Sequence, residues 1–101
     1  MTHVLREAGG TTTVTDGALT QIVVQAAEGV EGARVRRARR KLGIEIEGTQ
    51  ARVELGLAVA YGKVLPDVAR EVQDRVAAAL ARSCGLHVTA VDVTVEELEG
   101  R

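Results

Sequence analysis

Between Arg52 and Val95 the sequence changes its hydrophobic period twice, and that double change leaves few folds open. Val53, Leu55, Leu57 and Val59 alternate with Arg52, Glu54, Gly56, Ala58 and Ala60, the pattern of a strand with one face on a core. The period then lengthens. Val68, Val72, Val76, Ala79 and Leu80, joined by Ala69, recur at helical spacing between Pro66, which suits a first helical position, and Gly85, which suits a left-handed stop. Asp67 favours the positive end of that helix, and Arg70 with Asp74 and Glu71 with Arg75 sit four apart on its solvated side. Alternation returns at His87 to Val95, with Val91, Val93 and Val95 on one face and Val88, Ala90, Asp92 and Thr94 on the other. A strand, a crossover helix and a second strand of one sheet connect right-handedly, so the last strand is expected parallel to Arg52–Ala60.

Upstream, Thr15 or Asp16 can cap a helix over about Gly17 to Glu28, with Leu19, Ile22, Val23, Ala26, Ala27 and Val30 as its apolar stripe and Gly29 or Gly32 at its end. Ile44 and Ile46 alternate with Glu45 and Glu47, and Gly48-Thr49-Gln50 is short enough for a hairpin turn into the next strand. Arg34 to Arg37 is a candidate earlier strand, expected to pair with the Ile44 strand. The expected fold is α+β: a single two-layer domain with two helices on one face of a three- to four-stranded mixed sheet, in the order helix, two or three strands, helix, strand. Residues 1–13, with Gly9-Gly10 and a Thr run, read as a flexible N-terminal arm with room for a short strand at its end. Residues 14–95 form the domain, and 96–101 an acidic tail. The sheet face away from the helices carries Gly56, Ala58, Ala60 and Ala90, small residues that suit a self-association face. On that reading a charge at Ala58 would break oligomers without unfolding the chain.

Composition narrows the chemistry. A chain of 101 residues can bury one core without disulfides, and its single Cys excludes an intramolecular disulfide framework and fits a reducing cytoplasm. There is no Trp or Phe, and Tyr61 is the only aromatic, so the stacking platforms of most single-strand nucleic-acid binders are absent. No apolar run approaches the roughly 18 residues that span a bilayer, and Met1 to Gly10 lacks the apolar stretch of a signal peptide. The expected location is cytoplasmic. The second helix is amphipathic, but its polar side mixes acids with Arg and its apolar side lacks Trp and Phe, so direct membrane insertion is not expected.

Catalytic and metal-binding arrangements are poor, and neither an enzyme nor a cofactor is expected. Cys84 lies near His87, but no orienting acid follows, and a free Cys usually packs as a small hydrophobe. His3 is remote in the arm, and no His or Cys spacing suits a metal. Glu45, Glu47 and Glu54 could share one sheet face, yet a bare face offers no cleft to perturb them and they read as solvated charges. Gly29-Val30-Glu31-Gly32 has the spacing of the two-glycine clamp of KH domains, but it carries an acid and leads toward strands.

One segment stands out. Arg34, Arg36, Arg37, Arg39, Arg40 and Lys41 hold six of the thirteen basic residues, leaving seven against fourteen acids elsewhere. Such a patch can neutralise the domain's own acids, including Glu45, Glu47 and the Glu96–Glu99 tail, or meet an acidic protein or membrane surface, or bind nucleic acid.

Four ordered pieces resemble the alkaline shock protein family, the bacterial envelope stress response proteins: DGALTQIVVQAAEGVEG at 16–32, ARVELGLAVAYGKVLPDVAREVQDRV at 51–76, GLHV at 85–88 and AVDVTV at 90–95. The junction from Tyr61-Gly62 to Leu65-Pro66 is the most specific part. The resemblance implies a non-enzymatic adaptor or scaffold, working by self-association and with an envelope or membrane-associated protein partner. It supplies no catalytic residue, and assigns Tyr61, Gly62 and Pro66 only a structural turn. The alternative is a KH-like nucleic-acid-binding module using residues 34–41.

Overall fold

The structure, a computed structural model, describes residues 2–36 and 42–100. Its elements are β1 (Thr2–Glu7), β2 (Gly10–Thr15), α1 (Asp16–Glu28), β3 (Ala33–Val35), β4 (Gly43–Glu47), β5 (Gln50–Ala60), α2 (Leu65–Cys84) and β6 (His87–Glu99). The β5-α2-β6 unit is the frame: β6 runs parallel to β5 along its whole length, as the handedness of a crossover requires. β4 pairs antiparallel with Gln50–Glu54 and β3 antiparallel with Leu57–Val59. A strand has two edges and β6 takes one, so β3 and β4 follow each other along the second. The result is the expected α+β domain with a mixed sheet.

Local chemistry sets the boundaries. Thr15 Oγ1 accepts from the Ala18 N–H at 3.1 Å and caps α1. α2 has Pro66 in its first turn and ends where Gly85, at φ 68°, sends its N–H to the Ala81 carbonyl and Leu86 sends its own to Leu80. Between β5 and α2 the chain turns at Gly62, whose φ of 98° suits glycine, while the Tyr61 N–H reaches the Glu99 carbonyl at 2.7 Å. Tyr61 and Gly62 thus lie in the turn that leaves β5, and Pro66 lies in the first turn of α2.

The core lies between the helices and one sheet face. Leu19, Val23 and Ala27 of α1 and Val68, Val72, Val76 and Leu80 of α2 close over Val53, Leu55, Leu57 and Val59 of β5. It is wholly aliphatic, so shape-matching rests on stiff Val side chains and on Leu.

Four expectations need correction. Where a flexible arm with at most a short strand was expected, β1 and β2 form an antiparallel hairpin in a sheet of their own, with Leu5 and Val14 packed against the core. Residues 96–99 of the expected acidic tail are also strand, since β6 continues through Glu99. β3 pairs with β5 rather than β4, because β4 covers only the first half of the longer strand and leaves the second half free to take a partner. Finally, register shifts between Ala51 and Arg52 and between Leu57 and Ala58 leave Thr89 and Glu96 as extra residues in β6. The first shift turns Val88 toward the core with Val91, Val93 and Val95.

Candidate interaction surface

The sheet face opposite the helices is organised by charge. β3 and β6 flank β5, and Arg34, Ala58 and Glu97 lie side by side across the three strands. Arg34 is ion-paired with Glu99 and Arg36 with Glu97, so each pair spans β5 from one edge to the other, a reach of roughly 10 Å between flanking strands. Only long side chains can close that gap, and only small ones can lie beneath them. Gly56 and Ala58 occupy that lane and are buried, Ala58 completely, and Ala60 is half-buried. The residues expected to form a bare self-association face thus sit under a lid of ion pairs, with Ala90 half-buried beside Arg52.

Two of the six basic residues of segment 34–41 therefore neutralise the domain's own acidic strand. Arg37, Arg39, Arg40 and Lys41 lie outside the described residues. β3 is further fixed to α1 because Glu28 Oε2 accepts from the Val35 N–H at 3.0 Å. The hydrogen bond from Arg34 is the main cause that holds the Glu99 carboxyl below its ordinary 4.5, and the same contact raises Arg34. A depressed carboxyl stabilises the fold above its unfolded value, and that contribution is lost as pH falls through the folded one. The Glu99→Gln variant should accordingly show a flatter loss of urea midpoint below about pH 4.5 than the native chain and converge with it in stronger acid. Parallel acid limbs for the two proteins would remove Arg34–Glu99 from the pH dependence.

The remaining candidates are dispersed. Glu45 lies opposite Arg52, Glu54 opposite Gly43 and Glu47 opposite Gln50, all three acids exposed, so they form no paired carboxylates. Cys84 is half-buried against the core, and burial pushes its thiol up, away from the reactive thiolate. His87 opens β6 exposed, and His3 Nε2 lies 2.6 Å from Asp16 Oδ1, tying β1 to the start of α1. An open groove of about 480 Å³ runs between α1 and α2, floored by Ile22, Ala26 and Ala79 and rimmed by Gln25, Arg75 and Arg82. Arg75 is held by Glu71 at 3.1 Å. Among the described residues no group of three or more His, Cys, Asp or Glu is placed to hold a metal ion.

A feature that sequence reasoning left unspecified is the outer edge of β6. Among the described residues β6 pairs with β5 alone. Val88, Val91, Val93 and Val95 lie along it half-exposed although they pack on the core, and Leu98 is 48% exposed. Glu96 sits at the second bulge with both carboxylate oxygens buried and without a hydrogen-bond partner. The signal for the ion-paired lid was present in the sequence as Arg34 and Arg36 against Glu97 and Glu99, each pair at strand spacing.

No curated protein matches the sequence. Solved structures of the MamM CTD share the fold. A cadmium form is 25% identical with a TM-score of 0.56 and covers 82% of this chain and 96% of that one. A second MamM CTD structure, 23% identical, has a TM-score of 0.57 and covers 82% and 99% respectively. The profile of the alkaline shock protein 23 family, described as having a cell envelope-related function, matches residues 5–99, which takes in the hairpin, the β5-α2-β6 frame and the acidic end of β6. The chain belongs to that family, as the turn at Tyr61, Gly62 and Pro66 and the pieces around it led one to expect.

Proposed function

We propose that this protein is a non-enzymatic adaptor or scaffold in the envelope stress response, acting by self-association and by contact with an envelope or membrane-associated protein. The observation that carries the reading is the family match across residues 5–99, with its envelope-related function. The fold adds support, because among the described residues the outer edge of β6 has no paired strand and is flanked by aliphatic side chains, a surface suited to protein rather than to a small substrate. On this reading the chain sits on the cytoplasmic side, peripheral to the membrane and brought there by its partner; among the described residues no helix is long and apolar enough to cross a membrane.

The nucleic-acid alternative is weakened by two observations. Arg34 and Arg36 are already ion-paired with Glu99 and Glu97, and Gly29 to Gly32 leads into β3 rather than into a second helix. A pull-down from bacterial extract, with and without nuclease, separates the readings. Envelope proteins should be retained after nuclease and through moderate salt. Loss of every partner on nuclease treatment, with recovered nucleic acid and a steep salt dependence, would overturn the adaptor reading in favour of phosphate binding.

A further inference from the structure

We infer that the unpaired edge of β6 is where a second copy of the chain docks, by antiparallel pairing of β6 with β6 about a two-fold axis at Val93. This deepens the self-association in the reading above and rests on it. The edge alone would not specify a partner; its sequence does. Between the bulges at Thr89 and Glu96, the regular stretch Ala90–Val95 is centred near Val93. Antiparallel pairing there sets Val93 against the partner's Val93, Val91 against the partner's Val95, and Asp92 against the partner's Thr94. No like charges face one another. Parallel pairing would instead set Asp92 against the partner's Asp92 and each acid at 96, 97 and 99 against its own copy, which is unfavourable.

The ends agree with the centre. In the antiparallel register the acidic end Glu96–Glu99 of one copy runs beside residues 87–90 of the other, which hold no acid and include an exposed His at 87. In that register the partner's His87 falls opposite Glu99, and Glu96, whose carboxylate has no hydrogen-bond partner within its own chain, falls opposite the uncharged side chain of the partner's Ala90. With the axis perpendicular to the sheet, the helices of both copies lie on one side, and the half-exposed Val91, Val93 and Val95 of each close over the seam. The Gln73 side chain donates to the Val91 carbonyl at 3.1 Å, and a carbonyl keeps a second lone pair for an added strand. A two-fold pairing of this kind closes on itself, so the product is a dimer rather than a filament.

Thr94 gives a register-specific test, because it is exposed, faces away from the core and lies opposite Gly56 within its own chain. Thr94→Asp sets two new like-charge pairs against the partner's Asp92, and Thr94→Lys sets two opposite-charge pairs in the same places. Sedimentation equilibrium of the full chain at low salt should show a dimer whose dissociation constant rises about tenfold with Thr94→Asp and falls several-fold with Thr94→Lys. Circular dichroism should be unchanged in both. A native chain that stays monomeric at all concentrations would overturn this inference and also the self-association part of the proposed function. A native dimer indifferent to both substitutions would overturn the β6 seam alone and leave the adaptor reading standing.

Discussion

The Ala58→Glu variant is expected to lose about 3 kcal/mol of folding stability, read as a lower urea midpoint with an unchanged slope. Ala58 is fully buried, although its side chain points away from the helices. Above it pass Arg34 on its way to Glu99 and Arg36 on its way to Glu97. A longer side chain must lift both pairs, and a carboxylate brings a third acid to two guanidinium groups, one of which must then leave a partner behind. Ala58→Ser adds one atom and a hydroxyl that can find a neighbour, so it should cost under about 1 kcal/mol. A stable Ala58→Glu monomer within about 0.5 kcal/mol of the native chain would mean that the lane is open, as alternation alone suggests. The same substitution is therefore a poor probe of self-association, since it acts on the fold first.

What the sequence makes legible follows from which interactions are local. Helix α2 is bracketed by Pro66 and Gly85, and β5 by its own alternation, so both are read within a residue or two. The parallel placement of β6 follows from chain handedness and needs no long-range contact to be known. The hairpin β1–β2 is different. Its outward residues are mostly Thr and polar, and the apolar residues it packs on the core are Leu5 and Val14, so no period announces it until the two strands are paired. The bulges at Thr89 and Glu96 have no signature in residue type, and the first of them reverses the face of Val88. The ion-paired lid depends on knowing that β3 and β6 flank β5. Once that is known, the two-residue spacing of Arg34 with Arg36 and of Glu97 with Glu99 explains why small residues lie between them, and why an apparent association face is buried. The unpaired edge of β6 likewise emerges only from the strand order.

Leu57→Ala should be the most damaging truncation of the sheet, with an expected loss of about 3 to 4 kcal/mol and a fall in Tm of roughly 15 °C. Leu57 is fully buried at the middle of the core face of β5, in register with Val35 on one side and Val95 on the other, beneath the two helices. The size of the loss depends on whether the surroundings can collapse into the space left behind. Here they cannot easily do so. Val35 and Val95 are β-branched and held at χ1, their backbones are fixed by strand pairing, and no aromatic ring is at hand to swing into the gap, since the chain has no Phe or Trp and Tyr61 is 56% exposed. An aliphatic core of short, stiff side chains packs well only when complete, so the cavity should persist and place the cost in the upper half of the usual range. Thermal and urea unfolding of the variant check this directly. A loss below about 1.5 kcal/mol would mean that α1 or α2 settles onto the sheet to close the cavity, and that the helix layer is less rigidly seated than its packing against Leu57 implies.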